Sequence, residues 1–99
     1  IPGVSTPTEA FAALDVGADA LKVFPAELVT PLVLKAWKAV LPEGTLLFPV
    51  GGITPESMKS YVEAGADGFG LGSALYRPVM AAYEVSLKAR EFREAWSKL

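Results

Sequence analysis

Apolar positions along the chain fall into two alternating patterns. Phe11 and Leu14 with the alanines between them, then Val33, Trp37, Val40 and Leu41, then Met58, Tyr61 and Val62, and finally Val85, Ala89, Phe92, Trp96 and Leu99 recur at three- to four-residue spacing. That spacing lays one apolar stripe along a helix. Between these segments lie short runs, residues 20–24, 45–50 and 68–71, that read as strands. Strands that alternate with amphipathic helices predict an α/β fold of parallel (β/α) units, with the sheet covered by helices.

Local punctuation agrees with the pattern. Thr6 is a good N-cap, Pro7 suits the first helical position and Glu9 completes a capping box. Thr30-Pro31 opens the second helix, Thr54-Pro55 the third, and Gly17 and Gly65 are placed to end the helices before them. Pro42-Glu43-Gly44 turns the chain into the run that follows.

These signals repeat. Shifting the chain by 48 residues (Gly3 onto Gly51) also matches Thr6 to Thr54, Pro7 to Pro55, Gly17 to Gly65, Ala18 to Ala66 and Asp19 to Asp67. Strand 45–50 precedes Gly51, so an equivalent strand is expected before Gly3. Only Ile1 and Pro2 of it are expected here. The reading is of residues 1–99 as part of one domain whose N-terminal part is absent.

Composition narrows the chemistry. Ninety-nine residues, 52% of them hydrophobic and 20% charged, suit one globular core. A net charge of −2 gives no bulk argument for nucleic acid or an anionic membrane as partner. No histidine and no cysteine occur, so His-based acid–base chemistry, thiolate nucleophiles and the usual zinc ligand sets cannot be supplied by this chain. A reducing cytoplasm is compatible with that, and neither an export leader nor a membrane-spanning run is evident.

In parallel β/α folds, ligands gather at the carboxyl ends of the strands. Four stretches are expected on that rim: "PGVST", "KVFPAE", "PVGGIT" and "GLGSAL". Gly51 and Gly52, and Gly72 with Ser73, are expected between a strand and a helix N-terminus, where bare backbone amides near a helix start suit a phosphate. The competing reading is that these glycines only permit tight βα turns. Lys22 stands where Gly70 stands in the other repeat, inside an apolar run. Either it is a rim lysine paired with Glu27 or Asp19, or a desolvated amine that can attack a carbonyl. Glu27 has an easy alternative as the start of a helix, Thr6 is explained as a cap, and Arg77 reads as solvated. The run "KAREFREAWSK" reads as an exposed, charge-paired helix face.

The stretches "PGVSTPTEAFAALDVGADALKVFPAE", "LKAWKAVLP", "FPVGGITPES" and "GADGFGLGSALY" resemble the second half of the KDPG/KDPGal aldolases. These are class I aldolases that cleave 2-keto-3-deoxy-6-phosphosugar acids to pyruvate and glyceraldehyde 3-phosphate. The resemblance implies the C-terminal half of a TIM (β/α)8 barrel and weakens beyond Arg77. It implies Lys22 as the Schiff-base lysine, Phe24 as the aromatic beside it, and Gly51, Gly52, Gly72 and Ser73 as the phosphate site. Val50, where gluconate-type members tend to carry threonine, tilts the resemblance to the galactonate type. No metal or cofactor is expected, because an iminium supplies the polarisation. The resemblance also implies a homo-oligomer, a trimer, and a general-base glutamate in the missing half. Two rivals stay open: a phosphate-binding β/α barrel in which Lys22 is only electrostatic, and a non-catalytic half-barrel that assembles with another half.

Overall fold

The computed structural model describes residues 1–99. It builds two parallel ladders in the order β1-β2-β3, from β1 (Gly3–Val4), β2 (Leu21–Val23) and β3 (Leu47–Pro49). Four helices join and follow them: α1 (Pro7–Asp15), α2 (Pro31–Val40), α3 (Met58–Ala64) and α4 (Ala82–Ser97). The architecture is α/β with parallel strands, as the alternation predicts. None of the helices is long and apolar enough to cross a membrane.

The first two helices start at side-chain caps, whereas α3 and α4 have none. Thr6 accepts the Glu9 N–H at 3.2 Å and Thr30 accepts the Val33 N–H at 3.4 Å, each ahead of a proline at the first helical position. Thr54 also receives the N–H of the residue three on, from Ser57 at 3.1 Å, and Ser57 Oγ takes the Thr54 N–H at 3.0 Å. That reciprocal pair closes a turn over Pro55–Ser57, so α3 begins at Met58 and not directly after Thr54.

The core lies on one side of the sheet. In β2 and β3 the alternate residues Leu21, Val23, Leu47 and Pro49 are buried against the helices, while Lys22 and Phe48 face the other way and are only half-buried. The expected cover of helices on the sheet is therefore seen as tight burial on one face only. Helix α2 buries Leu34 and Trp37, with Leu41 just beyond, and leaves Val33 and Val40 exposed. On α1 the buried residue is Ala10, while Phe11 is exposed. On α4 the stripe narrows to Phe92, with Trp96 half-exposed at its end.

Strand boundaries also differ from expectation. Gly3 and Val4 pair with Lys22 and Val23, so the first strand runs past Pro2. Residues 68–71 form no full strand: their pairing is one isolated bridge, Gly70 to Val50, just past the end of β3. Pro49 explains this. Its carbonyl accepts the Gly70 N–H at 3.0 Å, but proline has no N–H to return to that neighbour.

Candidate active site

The parallel register sets Gly3, Lys22 and Phe48 side by side on the open face of the sheet. A Cβ added at Gly3 would meet Lys22 Cδ at 3.9 Å, so the lysine stem lies beside a position with no side chain of its own. Lys22 enters none of the ion pairs, which are Lys38–Asp67, Lys59–Glu63 and Lys88–Glu91. The reading that Lys22 is a rim lysine paired with Glu27 or Asp19 is thereby removed. Its Nζ lies 4.7 Å from the centroid of the Phe24 ring, a cation–π contact of about 0.5–1 kcal/mol.

Phe24 connects the lysine to the glycine loops. One cleft of about 130 Å³ is lined by Phe24, Val50, Gly51, Gly52, Gly72 and Ser73, together with their immediate neighbours. Every candidate site residue except Lys22 lines this space, and Lys22 reaches its edge across the Phe24 ring. The backbone N–H groups of Gly51, Gly52, Gly72 and Ser73 donate to no protein acceptor. Unpaired amides are costly unless solvent or a ligand receives them, and four around one small cleft are donors of the kind that suit an anion.

The glycines are there for contact as well as for conformation. Gly51 and Gly52 hold φ of 107° and 65°, the left-handed region. A Cβ at Gly51 would fall 2.6 Å from Glu27 Oε1 and 3.4 Å from the Phe24 ring, so the loop passes closely under both side chains. At Gly70 a Cβ would come 2.5 Å from Val50 Cγ2. The bare backbone at Gly70 gives Val50 its place in the cleft.

The support behind the site was not evident from residue spacing. Tyr61, at the position of Ala13 in the repeat, reaches 35 residues back, and its hydroxyl lies 2.8 Å from the Ala26 carbonyl and 3.1 Å from that of Val29. It fastens the loop that carries Phe24 and Glu27. Burial, then the nearby Glu27 charge, raise the Tyr61 hydroxyl above its usual 10.0, so it stays a donor at neutral pH. An inward tyrosine on an apolar stripe is itself a sign that a carbonyl partner exists. Thr6 plays its capping role and is exposed, and Arg77 is exposed with Nε donating to the Ser73 carbonyl at 3.3 Å.

With this geometry in place, comparison with known proteins is decisive about kinship. A family model described as KDPG and KHG aldolase matches residues 1–86. The chain belongs to that family. It is 46% identical over 95 residues to the 2-dehydro-3-deoxy-6-phosphogalactonate aldolase of Escherichia coli (strain K12), covering 96% of this chain and 46% of that protein. It is 45% identical over 89 residues to a "Probable 2-dehydro-3-deoxy-6-phosphogalactonate aldolase" of Rhizobium meliloti (strain 1021), covering 90% of this chain and 42% of that one. A solved structure described as native KDPGal superposes with a TM-score of 0.95 at 45% identity, over 98% of this chain and 47% of the other. This member of the family thus spans a little under half the length of those relatives.

Proposed function

We propose that residues 1–99 form the C-terminal half of a (β/α)8 barrel, one part of a single aldolase domain. In this reading they carry the Schiff-base lysine and the phosphate cradle of a class I enzyme. The substrate is 2-dehydro-3-deoxy-6-phosphogalactonate, and the products are pyruvate and glyceraldehyde 3-phosphate. The carrying observation is that Phe24 joins the Lys22 amine to a cleft with four unpaired backbone amides. A ligand with a keto group at one end and a phosphate at the other fits those two features in series. The galactonate epimer is favoured by Val50, which lines the cleft and offers no hydroxyl to the substrate, and by the names of the two relatives.

The chemistry follows from the amine. Lys22 Nζ attacks the C2 keto carbon and water leaves, giving an iminium. Removal of the C4 hydroxyl proton drives cleavage of the C3–C4 bond, and its electron pair flows into the iminium to give an enamine. Glyceraldehyde 3-phosphate departs, and the enamine is protonated at C3 and hydrolysed to pyruvate and free Lys22. The unpaired amides hold the phosphate and so fix the distance from Lys22 to the bond that breaks. The group that moves the C4 proton is assigned to the other half of the barrel. A homo-oligomer, a trimer in the family pattern, working in the cytoplasm completes the reading.

The test is borohydride reduction with pyruvate, followed by peptide mass mapping. A reduced adduct at Lys22 is expected. Its absence, both in this chain and in a chain extended to the relatives' length, overturns the Schiff-base role. One observation favours a second reading of the isolated chain, as a half-barrel that assembles with another half. Lys22 and Phe48, on the sheet face away from the core, are only half-buried. Light scattering that finds a monomer would overturn it.

A further inference from the structure

The glycine loops have a second side. Behind the 130 Å³ cleft, and sharing Gly52 and Ser73 with it, opens a groove of about 600 Å³ that runs to α4. Thr54, Arg77, Glu84 and Lys88 contribute to its walls. Of its two cations, Lys88 is engaged with Glu91 at 3.8 Å, whereas Arg77 has no carboxylate partner. Arg77 is nevertheless oriented: its Nε–H is tied to the Ser73 carbonyl, which leaves the terminal guanidinium nitrogens without an acceptor in the protein. The guanidinium is thus held beside the turn that bears Ser73, on a groove that Gly52 also lines, with its terminal donors free.

We propose that Arg77 is a side-chain arm of the phosphate site, closing on the anion from the groove while the amides of Gly51, Gly52, Gly72 and Ser73 hold it from the cleft. This rests on the phosphate reading above and extends it. Backbone amides alone supply partial charges, whereas a phosphate dianion is matched best by a planar cation with paired donors. Of the two acids on the groove, Glu91 pairs with Lys88, while Glu84, in the first turn of α4, has no ion-pair partner and keeps the groove from being purely cationic. Arg77 supplies the positive charge adjacent to Ser73. It lies in the same short stretch as the GLGS turn, so one segment brings both the hydroxyl and the cation.

The experiment titrates inorganic phosphate into the chain and its Arg77→Gln and Arg77→Lys variants, following the amide resonances of Gly51, Gly52, Gly72 and Ser73. Pyruvate adduct formation at Lys22 is measured in parallel. Loss of a charge-assisted contact predicts a dissociation constant raised about tenfold or more in Arg77→Gln. A smaller loss, about threefold, is expected in Arg77→Lys, which keeps the charge without the fork. Adduct formation is expected to be unchanged in both. Unaltered phosphate affinity in Arg77→Gln overturns the proposal, and so do equal losses in the two variants, which would mean that only the bond to the Ser73 carbonyl matters. A parent chain that forms the adduct but binds no phosphate overturns the arm and the cradle together. One that binds phosphate through Arg77 but forms no adduct overturns the lysine chemistry alone.

Discussion

The two copies of the repeat share a frame and differ in what they do with it. In both, a threonine accepts the N–H three residues on, a helix follows, a glycine with positive φ ends it, and an aspartate precedes the next strand position. At the equivalent strand position the first copy carries Lys22 and the second Gly70. Two residues on, the first carries Phe24 and the second Gly72. One copy thus brings a side chain to the rim and the other removes side chains from it. A rim lined by side chains alone would have no exposed amides for a phosphate, and a rim of glycines alone would have no nucleophile.

The most forceful way to break this division is to delete the proposed nucleophile. Lys22→Met is expected to abolish the reduced pyruvate adduct and, in a chain extended to full relative length, to lower retro-aldol turnover by at least about 10³-fold. Phosphate binding at the glycine loops is expected to survive, because Lys22 does not line that cleft. Phosphate affinity that collapses with the lysine would show that the two copies do not divide the work.

Next in size is an attempt to make the second copy resemble the first. Any side chain at Gly70 starts with a Cβ 2.5 Å from Val50 Cγ2, so Gly70→Ala is expected to cost about 1–3 kcal/mol by overpacking. Combining it with Val50→Ala is expected to cost less than the sum of the two single changes, because the clash partner is gone. Chemical denaturation of the four chains reads the coupling directly. Additive costs would mean that Gly70 is glycine for some other reason.

The aspartates offer a subtler contrast. Asp67 Oδ2 accepts the Leu47 N–H at 2.9 Å and the Lys38 ammonium at 3.0 Å, and the Asp67 N–H returns to the Leu47 carbonyl at 2.9 Å. Asp19, its counterpart, is exposed and enters no ion pair. Asp67→Ala strands the N–H of a fully buried leucine and is expected to cost about 1–3 kcal/mol. Asp19→Ala is expected to stay within about 0.5 kcal/mol. Equal costs in thermal unfolding would show that sequence equivalence, and not the local partner, sets the value of each residue.

These contrasts also mark what could be read from residue spacing. Caps, stops and the order of elements were legible because each depends on a few neighbouring residues, as Thr6, Thr30 and Gly65 illustrate. The glycine loops and Lys22 were legible as a set because parallel strands place their ends on one rim. Phase within a stripe was less so. Val33, Val40 and Phe11 are apolar yet exposed, since what decides burial is which face meets the sheet. The missing ladder at residues 68–71 turned on Pro49 in the neighbouring strand. Tyr61 on the Ala26 and Val29 carbonyls and Glu27 over Gly51 are contacts through space, and no local pattern encodes them.

The smallest expected effect separates the Thr6 cap from the equivalent Thr54 turn by pH. Glu9 accepts the Ser5 N–H and hydroxyl at 3.1 Å and the Thr6 hydroxyl at 3.0 Å. Those bonds, the Ser5 backbone first, hold its carboxyl below the usual 4.5. A carboxyl lowered in the folded state adds stability that is present above its ordinary value and is lost as pH falls through the folded one. At the Thr54 turn the returning group is the Ser57 hydroxyl, which does not titrate in that range. On acidification below about pH 4.5, amide exchange at Ser5 and in the first turn of α1 is therefore expected to quicken before exchange at Thr54 and Ser57 does. Glu9→Gln is expected to remove that difference, since an amide can still accept the Ser5 N–H but does not change charge with pH. Parallel loss of protection at both places would put the acid sensitivity elsewhere, and the first copy would then owe its α1 start to Thr6 alone.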